Sequence, residues 1–333
     1  MNIAIIGSKD FDSLEFHLNE SLSFLGHSTV IYDIKDVVPL PYKYNFYLQK
    51  FSTKYTSFLF KKLASMVIDR CPDLIICTYR FIPPEFVLAI KKAMANVKIV
   101  QFNPDALTTF QEQQIFVSPY DAYFTKDPFI VDFMRSKMNL AAFYLPESFN
   151  QRVHNYRLED RTSLESKIDI DVVCFGTMYP YRAQMVKFLL KKGIDVKLFG
   201  TPDSRFPLPE IEAHFQNEFI AGERKAEVLL GSKIVFNNFH YAEVESVNAK
   251  FFEIAGIGGF QICDYKRIVD EYSVIPSRKF TFKHIEEAAE LIQHYLKLPE
   301  ERHRLASEQK SHFLQHHTYD VRMKQMLTIL ELE

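Results

Sequence analysis

Short apolar runs alternate with helical patterns along this chain, and this alternation limits the possible folds more than any other feature. Unbroken apolar strands separated by helices are typical of a parallel sheet that is covered on both faces. The first part of the chain therefore predicts a doubly wound α/β domain. Its six strand-like runs lie at 3–6, 29–32, 73–77, 97–102, 122–125 and 141–145.

The alternation stops in a polar, charged segment and then begins again. Residues 149–168 contain few aliphatic side chains, which is typical of a connection between domains. A length of 333 residues also favours two domains. We predict an N-terminal Rossmann-like domain at 1–148, a linker at 149–168, a second Rossmann-like domain at 169–315 and a final helix at 316–333. Two such domains facing each other across a cleft would bind ligands at the carboxyl ends of their strands.

Composition and charge exclude several classes of protein. The chain has 40 basic and 42 acidic side chains, a net charge of −2, so it lacks the basic excess of most nucleic-acid-binding domains. Its four cysteines form no C-x-x-C pair, and no 18-residue window is continuously apolar. The first residues lack the basic segment of a signal peptide. We expect a cytoplasmic protein that binds no nucleic acid.

The most informative segment, 234–264, has the pattern strand, loop, helix, glycine-rich turn and strand. We expect its helix to begin near residue 246, with Glu245 at the entrance and Glu253 two turns later. A helix N-terminus attracts phosphate, and Lys250 adds a positive charge one turn into the helix. The alternative is that both glutamates are solvated surface charges.

Residues 248–264, NAKFFEIAGIGGFQICD, resemble the C-terminal signature of GT-B glycosyltransferases, specifically the CgeB-like spore-maturation group. Asn248, Lys250, Phe252 and Glu253 match that signature, with Lys where the group usually has Arg. Three other segments resemble the same group: DVVCFGTMYPYRAQMVKFLLKKGIDVKLFG, KIVFNNF and HHTYDVRMKQML.

The resemblance implies a GT-B enzyme whose N-terminal domain holds the acceptor and whose C-terminal domain holds the donor. The reaction would transfer a sugar from a nucleotide-diphosphate sugar, most commonly a UDP-sugar, to the hydroxyl of a glycan, lipid-linked or protein acceptor. Neither a metal nor another cofactor is expected, and the last helix would cross back to the first domain. Donor-binding positions implied by the resemblance are Gly176, Thr177, Arg182, Gly200, Tyr241, Asn248, Lys250 and Glu253.

Two carboxylates are the candidate catalytic residues. The resemblance places Glu245 beside the donor sugar and Glu253 at the ribose. Asp105 follows the fourth predicted strand and could act as a base or bind the acceptor hydroxyl. Asp105 could instead cap the helix that follows it.

Residues 41–64 interleave eight aromatic side chains with five lysines, and no acidic residue occurs between Asp36 and Asp69. Such a segment can contact the inner face of an anionic membrane or hold an acceptor. The alternative, which we favour on sequence alone, is an amphipathic helix with its aromatic side chains in the core.

Two other functions use the same scaffold. One is a non-catalytic protein that binds a nucleotide sugar or acts in assembly, and the other is a nucleotide-sugar epimerase. An epimerase would need its own set of acid and base residues, which the sequence does not reveal. Glycosyl transfer, in the synthesis of glycans or surface glycoconjugates, accounts for more of the motifs.

Overall fold

The computed structural model describes residues 1–105, 113–157 and 160–332, and these form two units. The N-terminal unit comprises Met1–Pro146, Ala242–Ser246 and Tyr319–Glu333. The C-terminal unit comprises Glu147–Tyr241 and Val247–Thr318. Each unit is therefore built from segments that are distant in the sequence.

The described part of the N-terminal unit contains a six-stranded parallel sheet. Its strands are β1 (Asn2–Ile6), β2 (Ser28–Tyr32), β3 (Leu74–Cys77), β4 (Lys98–Asn103), β5 (Ala122–Thr125) and β6 (Ala142–Tyr144). Their spatial order is β2-β1-β3-β4-β5-β6. The connections leave β1 and β3 in opposite directions, and such a switch point creates a crevice at the carboxyl ends of the two strands.

Helices cover both faces of this sheet. They are α1 (Leu14–Phe24), α2 (Tyr42–Phe51), α3 (Thr53–Ile68), α4 (Pro84–Ala93), α5 (Pro128–Met138) and the C-terminal helix, numbered α14 (Tyr319–Ile329). One core includes α3, α4 and α5, and the other joins α1 to α14 against the opposite face. The last helix therefore belongs to the N-terminal unit because Met323, Met326 and Leu327 complete its core.

The described part of the C-terminal unit has a five-stranded parallel sheet in the order β11-β10-β9-β7-β8. The strands are β7 (Ile170–Phe175), β8 (Val196–Phe199), β9 (Ser232–Asn237), β10 (Gln261–Asp264) and β11 (Thr281–Phe282). The helices are α6 (Arg161–Ile168), α7 (Pro180–Lys191), α8 (Pro209–Glu212), α9 (Gly222–Gly231), α10 (Ala249–Ile257), α11 (Arg267–Tyr272), α12 (Ile285–Leu296) and α13 (Pro299–His316).

The prediction of two parallel-sheet α/β domains is confirmed. The structure departs from the predicted linker at 149–168, because this segment lies within the C-terminal unit and ends in α6. Leu164 and Ile168 pack against α9, where a Cβ on Gly231 would clash with the Ile168 side chain. The buried Glu165 of α6 also forms an ion pair with Arg302 at 2.6 Å, so apolar packing and an ion pair together hold this otherwise polar helix.

Among the helices described by the structure, none has the length and apolar character needed to cross a membrane.

Candidate functional site

Two glycines meet at the carboxyl ends of β7 and β8 in the C-terminal unit. Gly176 and Gly200 have φ angles of +95° and +123°, in the region that favours glycine. The Gly176 N–H donates to the Phe199 carbonyl at 2.9 Å. A Cβ on Gly200 would lie 2.6 Å from the Gly176 oxygen. The glycines therefore allow the two strand ends to approach closely, and they shape the loop that begins at Gly176.

We expect Gly200→Ala to destabilise the protein by about 1–3 kcal/mol, since it combines an unfavourable φ with a backbone clash. Gly193→Ala is the matched control, because Gly193 also has a positive φ, of +76°, but nothing lies within 4 Å of its Cβ position. Denaturant unfolding of both variants measures the difference. Equal destabilisation would show that the contact with Gly176 is unimportant.

Two cationic side chains surround the Gly176 loop. Lys250 Nζ donates to the Phe175 carbonyl at 3.2 Å, and a Cβ on Gly176 would lie 3.3 Å from the same nitrogen. Arg182 is 7% exposed; it donates to the Thr177 carbonyl at 2.7 Å and to Asn238 Oδ1 at 2.6 Å. Arg182 thus holds the loop in shape, whereas Lys250 places a positive charge beside Gly176.

The N-terminus of α10 is fixed by a network of side-chain amides. Asn248 caps the helix by accepting from the Phe251 N–H at 3.1 Å. Its own Nδ2 donates to Asn237 Oδ1 at 3.0 Å, so the cap is tied to the end of β9. Lys250 lies in the first turn of α10, so its positive charge adds to the positive end of the helix dipole.

Glu253 lies one turn further along α10 and is largely buried. Its Oε1 accepts from Lys225 Nζ at 3.2 Å, and Lys225 Nζ lies 3.3 Å from His154 Nε2. Sequence analysis missed Lys225 and His154. Glu253, Lys225 and His154 come from separate segments of the sequence. Lys225 and His154 are 71 positions apart, and no local pattern links the three residues.

Aromatic rings flank the same loop. Tyr181, at the start of α7, lies 6.2 Å from the ring of Tyr241, edge to face. Tyr241 also stacks on His240 at 4.3 Å and is 76% exposed. Thr177, four residues before Tyr181 in the sequence, is exposed. These residues offer planar, accessible surfaces close to the polar groups.

Glu245 was predicted to lie at the entrance of α10, and the structure does not place it there. The helix begins at Ala249, and Glu245 lies three residues before its cap, in the segment Ala242–Ser246 of the N-terminal unit. The Glu245 N–H and the Ser246 hydroxyl both donate to Asp127 Oδ2, at 3.2 and 3.0 Å. The Asp127 carboxylate holds this segment in place, and the Glu245 side chain is exposed.

The switch point of the N-terminal unit contains a buried carboxylate that sequence analysis missed. Glu15, in the first turn of α1, is 8% exposed and accepts a hydrogen bond from the Thr78 hydroxyl just beyond β3. Both side chains lie against Gly7, the residue after β1, where any Cβ would clash with them. One sequence signal could have identified this buried carboxylate: a glycine after the first strand, followed by a glutamate in the first helix.

A second carboxylate, Asp33, is buried beside this position. It accepts from the Tyr79 hydroxyl at 3.0 Å and from the Lys35 N–H at 2.9 Å. Burial, reinforced by the Asp33 charge, raises the pKa of Tyr79, so that its hydroxyl remains protonated. Tyr79 stacks on Phe81 with ring centroids 4.8 Å apart.

Asp105 follows β4 and forms an ion pair with Arg80, with Oδ2 3.0 Å from Nη1. Both side chains are partly exposed. The Asn103 side chain donates to the Asp105 carbonyl at 2.7 Å and fixes the turn. The alternative role of Asp105 as a helix cap concerns residues 106–112, which lie outside the described residues.

Comparisons with known proteins agree with this architecture. Residues 182–328 match the family model described as glycosyl transferase-like. None of the curated proteins matches the chain. Sucrose-phosphate synthase from Thermosynechococcus elongatus is similar in structure, with a TM-score of 0.72 and 12% identity, over 99% of this chain and 98% of the other.

Two other similar structures were solved with donor components. HepE from Anabaena, in complex with UDP and glucose, has a TM-score of 0.66 and 12% identity over 99% of both chains. The BGT of phage T4, in complex with its UDP-glucose substrate, has a TM-score of 0.58 and 13% identity over 99% of this chain and 98% of that one. The chain therefore has the GT-B fold of these structures, and its residues 182–328 match the glycosyl transferase-like family model.

Proposed function

We propose that this protein is a glycosyltransferase that moves a sugar from a nucleotide-diphosphate sugar to an acceptor hydroxyl, without a metal ion. The observation that carries the proposal is the loop at Gly176, where Lys250 and the N-terminus of α10 supply positive charge. The leaving nucleoside diphosphate gains negative charge in the transition state, and fixed cations and helix N-termini stabilise that charge. The complexes of HepE with UDP and glucose and of BGT with UDP-glucose support a uridine nucleotide as the first donor to test.

Each donor-side residue has a role in this proposal. The backbone at Gly176, Thr177 and Gly200 approaches the diphosphate, and Lys250 neutralises it. Glu253, held by Lys225, accepts hydrogen bonds from the ribose hydroxyls. The exposed Tyr241 contacts the nucleobase or the sugar, and Glu245 lies beside the donor sugar. The same proposal includes membership of the CgeB-like group, which residues 248–264 resemble.

On the acceptor side we assign the general base to Glu15. It is a buried carboxylate at the switch point, where ligands of doubly wound sheets bind, and Thr78 orients it. Asp105 is engaged by Arg80 and more exposed, so we assign it to binding an acceptor hydroxyl. Glu15 would take the proton from the attacking hydroxyl as that oxygen forms the new bond to the sugar and the nucleoside diphosphate departs. The acceptor hydroxyl belongs to a glycan, a lipid-linked saccharide or a protein.

The donor site can be tested by ligand-induced thermal stabilisation with UDP, GDP, ADP, CMP and dTDP and their common sugars. A ligand at a hundred times its Kd stabilises the folded state by about 2.7 kcal/mol. We expect one nucleotide to give such a shift and Glu253→Gln to abolish most of it. Glutamine is preferred to alanine, since its side-chain oxygen can still accept the hydrogen bond from Lys225 Nζ while the carboxylate charge is removed.

The matched control for this test is Glu286→Gln, an exposed glutamate in the first turn of α12. It should retain the full shift. Absence of a shift with every nucleotide would contradict the donor site. A shift with no sugar transfer to any acceptor would instead favour a nucleotide-sugar-binding protein.

A further inference from the structure

Helix α2 is held on the N-terminal unit by one buried polar side chain and by ring contacts of Tyr42 and Phe46 with Phe81. Within the described residues, Asn45 is its one buried side chain. Its Nδ2 donates to the carbonyls of Val38 and Leu40 at 3.2 and 3.0 Å, and its Oδ1 accepts from the Tyr55 hydroxyl. The expectation that the aromatic side chains of 41–64 lie in the core is thus wrong for most of α2, although Phe60 of α3 is buried.

The outward face of α2 is apolar. Tyr44, Tyr47, Leu48 and Phe51 occupy positions i, i+3, i+4 and i+7, which form one stripe along a helix. All four are exposed, Phe51 by 81%, and Phe58 of α3 is exposed seven residues further on. We call these five residues the α2 stripe. A stripe of this size on the surface is typical of an interaction site.

Positive charge surrounds the α2 stripe. Lys43 precedes the stripe in the sequence, Lys50 and Lys54 lie between its members, and all three are exposed, as are Lys61 and Lys62 of α3. No acidic residue occurs between Asp36 and Asp69 to balance them. An apolar helix face flanked only by lysines is complementary to anionic lipid headgroups above an acyl layer.

We propose that the α2 stripe and its lysines dock the protein on a membrane surface that contains anionic lipid. The aromatic side chains would enter the interface and the lysines would contact the headgroups. Lipid is favoured over a protein groove because the charge is of one sign along the whole segment. Binding to lipid requires no donor or acceptor, so this proposal does not depend on the proposed function.

The position of α2 gives the proposal a functional consequence. Tyr42, the first residue of α2, lies 6.4 Å from the ring of Tyr79, which follows β3 at the switch point. Docking would therefore bring a membrane close to the residues assigned to the acceptor. A lipid-linked acceptor then becomes the preferred class, a step that does rest on the proposed function.

The test is sedimentation of the full chain with vesicles of phosphatidylcholine alone and with vesicles that also contain phosphatidylglycerol. We expect binding only to the anionic vesicles, weakened by added salt. Replacing Lys43, Lys50 and Lys54 together with glutamine should weaken binding on the order of a hundredfold, since each lysine near an anionic surface contributes about fivefold. Tyr47→Ser combined with Phe51→Ser should weaken binding about tenfold or more.

The control variant is Phe219→Ser, which removes a phenylalanine of the C-terminal unit that is 80% exposed, and it should bind vesicles like the wild type. Circular dichroism melts establish that all variants are folded.

Failure of the wild type to bind anionic vesicles overturns the proposal, as does equal binding by the α2 variants. A wild-type dimer that Phe51→Ser converts to a monomer would also overturn it, by assigning the stripe to a second copy. Sugar transfer is assayed separately with a soluble acceptor, so that loss of membrane binding and loss of activity are told apart.

Discussion

Replacing Glu15 with glutamine is expected to lower kcat by a factor of about 10² to 10⁴ and to leave donor binding unchanged. Glutamine has the shape of glutamate and can still accept a hydrogen bond from Thr78, but it cannot take a proton at neutral pH. The fold around Gly7 should therefore persist. The measurement is the steady-state rate of nucleoside diphosphate release with saturating donor and acceptor.

Two comparisons separate a catalytic Glu15 from a structural one. Glu85→Gln, in the first turn of α4 and exposed, should retain the wild-type rate. Asp105→Asn should raise the acceptor KM more than it lowers kcat, as expected for a residue that binds the acceptor hydroxyl. If Glu15→Gln retained the wild-type kcat and Asp105→Asn had a much lower kcat, the general base would be Asp105 and not Glu15.

Lys250→Gln is expected to reduce kcat/KM for the donor by a factor of about 10² to 10³, the loss typical of removing one group that stabilises charge in the transition state. The Lys250 ammonium lies beside Gly176, where the proposal places the diphosphate. Removing it leaves Arg182 and the helix N-terminus as the positive groups beside this loop. The effect should be larger at low ionic strength, where the lysine charge is least screened.

Lys250→Arg is the informative partner variant. Arginine keeps the charge, and it is the residue usually found at this position in the group that the sequence resembles. It should restore most of the activity. Lys191→Gln, an exposed lysine in the last turn of α7, controls for a general change in charge. An inactive Lys250→Arg with a normal melting temperature would argue that Lys250 shapes the loop rather than binding phosphate.

Several features of the fold followed from local sequence patterns. The apolar runs predicted the strands closely: β4, for example, covers Lys98–Asn103 where the sequence indicated 97–102. Buried parallel strands must be apolar on both faces, so their signal is continuous and does not depend on distant residues. The common position of Asn248, Lys250 and Glu253 was also predictable, because they lie within one helix and its cap.

Other assignments required the tertiary structure. The polar segment before β7 contains α6, since burial of Leu164 and Ile168 outweighs its polar composition. Glu245 and Glu253 are eight positions apart yet belong to different units, because Asp127 holds the segment before the α10 cap. Residue spacing alone does not reveal such a change of unit.

The amino-acid sequence by itself determined the two parallel-sheet units, the glycine-rich turns and the cluster of cations near α10. The sequence signal of each lies in a short stretch of the chain, even where the contacts that it makes are distant. Only the tertiary structure decided which carboxylates are buried, that Lys225 partners Glu253, and that the aromatic side chains of α2 point outward. Burial and ion pairing depend on which distant segments pack together, and a hydrophobic helical pattern has the same period whether its face meets the core or the solvent.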